Sequence, residues 1–139
     1  PRVYLGVRDK LQLGKTPFIE LIDSWRDLSQ EITGFFRDPA NAEFVLVTIP
    51  EALGVYQARR LVREFAQFGL AIQHMVVNNV IMHDDSDFLR QRKAMQRPYL
   101  DLLTQEYGEQ MQITHLPLFA GEMKGTDQLR ELEKLLFAA

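Results

Sequence analysis

A carboxamide at Asn78, a carboxylate at Glu51 and a Pro- and Gly-bounded segment at Pro117–Gly121 are the positions in this chain best equipped for ligand chemistry. Asn78 follows the apolar run Met75-Val76-Val77 and is followed by a second asparagine. A carboxamide holds a donor and an acceptor side by side, which matches the N6/N7 edge of an adenine base. An asparagine in that place equally suits a turn or a helix cap. Pro117–Gly121 could set a shaped backbone loop against a base, with Phe119 as an apolar wall, and also reads as an ordinary strand-to-helix connection. Glu51 follows Pro50 at the expected first turn of a helix, where a carboxylate complements the macrodipole without any catalytic role.

Other chemistries find little support. His74, His83 and His115 have no metal-ligand spacing; His83 beside Asp84, Asp85 and Asp87 is the only cluster suited to a cation, and it lacks the glycine and distal glutamate of a calcium loop. No metal site is expected. There is no Ser/His/Asp nucleophile signature and no glycine-rich phosphate loop. Gly14-Lys15-Thr16 imitates the end of one, but the first glycine of that motif would fall on Asp9. The sequence has no cysteine, which excludes disulfides and thiolate metal ligation and is compatible with a cytoplasmic protein.

With 139 residues, the chain suits one domain with a real core. A net charge of −3 and the lack of any Lys/Arg-dense run give no reason to propose nucleic acid. No apolar run approaches the roughly 18–20 residues that cross a membrane. The chain begins at Pro1 with no signal-peptide pattern and is expected to be a fragment or a processed piece.

The elements that must position these residues follow from the apolar spacing. Residues 1–15 lack periodicity and are expected to be a loop. Thr16-Pro17 gives a helix start, and Phe18, Leu21, Ile22, Trp25, Leu28, Ile32, Phe35 and Phe36 make one apolar stripe, ended by Asp38-Pro39. Phe44–Ile49 is almost wholly apolar, as for a parallel strand covered on both faces. A helix over 51–68 should turn Leu53, Ala58, Leu61, Val62 and Phe65 inward and stop at Gly69. A second strand is expected over Ile72–Val77, then a polar loop and a helical stretch to Tyr107, kinked or split by Pro98. A third strand at Met111–Leu116 precedes a final helix, capped by Thr126, with Leu129, Leu132, Leu135 and Leu136 inward. The order βαβαβα gives a small parallel α/β sheet, and ligands bind such sheets at the carboxyl ends of the strands. The sheet edge before Phe44 is expected to be open unless further strands cover it.

Together these segments resemble the C-terminal part of the arsenical-pump-driving and tail-anchored-protein-targeting ATPase family. The resemblance spans residues 17–137 and rests on the order of Phe35-Phe-Arg-Asp-Pro39, Phe44–Leu53, Arg60-Leu61, Val76-Val-Asn78, Arg92, Met95-Gln96, Tyr99-Leu-Asp101 and Leu116–Gly125. Such proteins are P-loop ATPases with a deviant Walker A motif, dimeric, with nucleotide at the subunit interface. The resemblance implies the C-terminal βαβαβα part of that sheet (residues 37–139), preceded by the end of a helical subdomain (residues 1–36). It places Asn78 on the adenine-contacting asparagine and Pro117, Leu118, Phe119, Ala120, Gly121 and Glu122 on the loop that closes over the base, with Glu51 near the nucleotide. The helix over 17–36 falls where targeting members form a hydrophobic client groove, though packing on neighbouring helices accounts for its stripe.

The family's phosphate loop, switch regions and catalytic aspartate lie upstream of the matched segments. ATP and Mg are therefore implied for the whole protein, and no hydrolysis is expected of this chain alone. The Cys-x-x-Cys zinc clasp of eukaryotic targeting members aligns with Ser86 and Leu89, so no such clasp forms. The expected function is that of an anion-transport type ATPase, cytoplasmic or at most peripheral to a membrane, acting as a homodimer or pseudo-dimer with a membrane protein partner. The alternatives are a targeting factor for tail-anchored clients and a standalone, non-catalytic α/β interaction module.

Overall fold

A computed structural model describes residues 17–137. The expected loop at residues 1–15, the Thr16 cap and the Gly14-Lys15-Thr16 imitation lie outside the described residues. The chain divides into two compact units, Pro1–Ala42 and Glu43–Ala139.

In the first unit the apolar stripe produces α1, Pro17–Arg37. Ser24 and Thr33 donate their hydroxyls to the carbonyls of Leu21 (2.8 Å) and Ser29 (2.7 Å), so the polar face satisfies itself within the helix. Asp38 ends it: its carboxylate accepts the Ala40 N–H at 2.9 Å and the Asn41 amide at 2.8 Å, and Pro39 has no N–H to continue. The stripe itself is exposed, with Phe18 at 69% and Trp25 at 65%.

The second unit runs β1 (Phe44–Thr48), α2 (Ala52–Gln67), β2 (Ile72–Val80), α3 (Asp87–Tyr107), β3 (Gln112–Pro117) and α4 (Thr126–Leu136). The strands form a parallel sheet in the order β1-β2-β3. Leu46, Met75 and Val77 point to one face, where they pack with Val55 and Ala58 of α2 and Leu103 of α3. The opposite face carries Val45, Val47, His74, Val76, Gln112, Thr114 and Leu116, and α4 packs over β3. Val45 and Val47 remain 53% and 63% exposed there. β1 is thus covered on one face only among the described residues, not on both as its composition suggests.

α2 ends as expected. Gly69 takes φ 70°, its N–H bonds to the Ala66 carbonyl and the Leu70 N–H bonds to the Phe65 carbonyl, both at 3.0 Å. At its other end the helix lies so close to β1 that a Cβ on Gly54 would stand 2.5 Å from the Ile49 carbonyl oxygen. Leu53 and Leu61 are exposed rather than inward, because they lie toward the open edge of β1.

Three further expectations are corrected. α3 continues past Pro98 as one helix, so the stretch is not split there. Pro98 and Ala94, whose carbonyl loses its partner, are both exposed to solvent. Thr126 is the first helical residue of α4 and not its cap; Gly125 takes the cap position at φ 84°. Leu129 and Leu135 are exposed, while Leu132 and Leu136 are half-buried. Between the helices, Arg59 of α2 grips Glu106 of α3 with two donors, one of them Nε at 2.7 Å, and the guanidinium lowers the pKa of that carboxyl.

Candidate functional site

β2 does not stop before its asparagines. Val77 pairs with His115 and Val80 with Pro117, so Asn78 and Asn79 together stand opposite the single Leu116. This is a β-bulge, a device that re-aims side chains beside functional sites. Asn79 takes φ 60°, the only positive φ of a non-glycine residue among the described residues. Asparagine tolerates that region better than other side chains. The Asn79 N–H donates to Oδ1 of Asn78 at 2.8 Å, which fixes which end of the Asn78 carboxamide is which.

The bulge is gripped from behind by Gln96 of α3, 2% exposed. Its Oε1 accepts the Ile81 N–H at 2.9 Å and its Nε2 donates to the Asn79 carbonyl at 2.9 Å. No buried side-chain polar atom lacks a partner among the described residues. A buried carboxamide is tolerated only on such terms.

Asn78 and Glu51 line one groove of about 310 Å³ at the carboxyl end of β1, together with Thr48, Gly54 and Leu61. Glu51 is the N-cap residue of α2, yet its side chain makes no cap bond. Its carboxylate instead accepts from Arg92 Nη2 of α3 at 2.6 Å. Pro117, Leu118, Phe119, Ala120, Gly121 and Glu122 leave the sheet at the neighbouring strand end and do not line this groove. They are tied to the bulge by the Leu118 N–H, which donates to the Val80 carbonyl at 2.9 Å. Pro117 and Phe119 are half-buried, whereas Leu118, Ala120, Gly121 and Glu122 are exposed. Glu122 pairs with Lys124.

The histidines lie apart, with His74 and His115 on opposite faces of the sheet and His83 in the loop after β2. Among the described residues no three His, Asp or Glu side chains stand close enough to hold a metal. Ser86 caps α3, its Oγ accepting the Leu89 N–H at 3.2 Å, so the two positions aligned with a zinc clasp serve as a helix start.

Sequence reasoning reached Asn78 but missed the residues that hold it. Gln96 and Arg92 entered only as letters in a resemblance. The available signal was Gln96 seven residues before Leu103, hence on the same buried face of α3. Asn79 carried a signal too, since Asn-Asn at a strand end suits a left-handed position.

The family model described as anion-transporting ATPase matches residues 7–138. The chain belongs to the anion-transporting ATPase family. It is 33% identical over 128 residues to ATPase GET3A of Arabidopsis thaliana, a match covering 90% of this chain and 35% of that protein. It is 30% identical over 122 residues to ATPase GET3 of Rhodotorula glutinis, covering 86% of this chain and 36% of that one. It is 34% identical over 112 residues to ATPase ARSA2 of Chlamydomonas reinhardtii, covering 78% and 31%. The chain therefore spans about a third of the length of these relatives. Membership implies nucleotide and Mg use in general. No described helix is long and apolar enough to cross a membrane.

Proposed function

We propose that this chain supplies the base-binding part of an ATP-hydrolysing protein, with Asn78 reading adenine. The observation that carries the reading is Asn78 itself, presented by a bulge at the carboxyl end of a parallel strand with Oδ1 held by the Asn79 N–H. Oδ1 keeps a second lone pair for an N6 amino proton and Nδ2 is free to donate to N7. In this reading Pro117–Glu122 closes over the base, a role supported by the Leu118 N–H bond that ties the segment to the Val80 carbonyl. Glu51 acts at one remove: its carboxylate is engaged by Arg92, so it shapes the groove beside the base. Phosphate binding, Mg and hydrolysis belong to parts of the protein that this chain does not supply, and nucleotide is held in a dimer.

The test is Asn78→Ala in the longer native protein. ATP affinity is expected to fall about tenfold, with weaker discrimination against GTP. Unchanged affinity and unchanged base preference would refute the assignment.

Two cargoes were set out from the sequence, an anion and a tail-anchored client. The recurrence of the GET3 name among relatives and the exposed stripe on α1 favour the client. Crosslinking of a hydrophobic peptide to α1 tests this reading, and its absence alongside anion-stimulated ATPase activity restores the anion.

A further inference from the structure

We infer that Gln96 is a positioning residue that sets base selectivity by locking the bulge that orients Asn78; the inference rests on the reading of Asn78 as the base contact. Gln96 touches no ligand. Its two carboxamide ends hold the Asn79 carbonyl and the Ile81 N–H, each at 2.9 Å, one before and one after Val80. The orientation is unambiguous, because a carbonyl demands the amino end and an N–H demands the oxygen. Held in this way, Asn79 stays in the left-handed region and directs its N–H at Asn78 Oδ1.

That pin holds the Asn78 carboxamide in the one orientation that matches adenine. Adenine offers an amino donor and the N7 acceptor on this edge, whereas guanine offers two acceptors, O6 and N7. A freely turning carboxamide matches adenine in only one of its two orientations, and in either one it sets its oxygen against an acceptor of guanine. With Oδ1 held by the Asn79 N–H, a flip would set the Nδ2 amino group against another donor. The acceptor therefore stays where guanine O6 would be repelled. Base choice follows from Gln96 through backbone geometry, with no contact to the base.

The experiment uses the longer native protein and measures binding of ATP, GTP and inorganic tripolyphosphate to wild type, Gln96→Leu, Gln96→Glu and Asn78→Ala. Gln96→Leu is expected to lower the ratio of ATP to GTP affinity about tenfold while tripolyphosphate binding stays unchanged. In Gln96→Glu an ionised carboxylate faces the Asn79 carbonyl and loses the lock. The protonated acid restores both a donor and an acceptor, so selectivity should return as pH falls while tripolyphosphate binding stays constant, a pairing that a general loss of structure does not give. Burial raises the pKa of such a carboxyl toward the neutral range. If Gln96→Leu does not fold, the pH dependence of Gln96→Glu decides. A parallel loss of tripolyphosphate binding, or selectivity independent of pH in Gln96→Glu, overturns the inference. If Asn78→Ala shifts base preference and Gln96→Leu does not, this inference alone falls. If Asn78→Ala shifts nothing, the base-binding reading falls and takes the inference with it.

Discussion

His74 stands between two acceptors. Nδ1 faces the Glu43 carboxylate and Nε2 lies 2.8 Å from Oε1 of Gln112. A neutral imidazole has one N–H, so only the imidazolium serves both neighbours. The Glu43 hydrogen bond, then that of Gln112, raises the His74 pKa above its ordinary 6.5. The sign of the linkage follows. A raised folded-state pKa stabilises the folded form fully below the unfolded pKa, and the contribution is lost as pH rises through the folded value. Stability is therefore expected to decline as pH climbs from about 6.5 past the raised His74 value, and Glu43→Gln should flatten that slope. Ring titration by NMR with melts from mildly acidic to alkaline pH checks both. A titration at the ordinary value with an unaltered slope in the variant would show the contact to be without consequence. Residue 43 precedes β1, His74 lies in β2 and Gln112 opens β3, so the contact joins the amino ends of all three strands, away from Asn78.

At the scale of elements, Pro98 marks where local propensity and packing disagree. Proline costs about 3 kcal/mol relative to alanine inside a helix, yet α3 continues through it. Leu103 and Gln96 anchor the helix on either side, at 0% and 2% exposure, so tertiary burial overrides the break. Pro98→Ala is accordingly expected to stabilise the protein, by up to about 3 kcal/mol less the chain entropy that proline removes from the unfolded state. A denaturant melt with an unchanged or lower midpoint would mean that proline at this position stabilises the fold. The same contest explains what was legible beforehand. The alternation of strand and helix, the stop at Gly69 and the end at Asp38-Pro39 are written in local residue types and were readable. The bulge at Asn78-Asn79 was signalled only by the asparagine pair, because it is fixed by Gln96 from a different element. The pairing of Glu51 with Arg92 spans 41 positions and leaves no local trace. Thus Asn78 as a candidate was visible in the sequence, while its orientation was a property of the fold.

At the scale of the molecule, the second unit carries an apolar face that a finished protein does not leave bare. Val45 and Val47 are more than half exposed on β1, which pairs with β2 alone among the described residues. A hollow of about 590 Å³ runs from them past Val76 and Leu116 to Leu136 and Phe137. An edge strand with an apolar face templates association unless it is covered. The chain spans 35% of the length of the Arabidopsis relative, leaving ample sequence in a protein of that size for the covering strands. The 139-residue chain on its own is therefore expected to bind a hydrophobic dye and to associate with rising concentration, and the longer native protein to do neither. Substituting Val45 and Val47 by threonine should reduce the dye signal if the sheet face is its source. Trp25, the single tryptophan and 65% exposed, reports separately on α1. A red-shifted emission in the chain alone that moves to the blue in the longer protein would mean that α1 packs on other helices. Red emission in both, with dye binding lost only in the valine variants, would leave the α1 stripe free for a client. A monomeric 139-residue chain that binds no dye and melts cooperatively would show that the β1 face needs no partner.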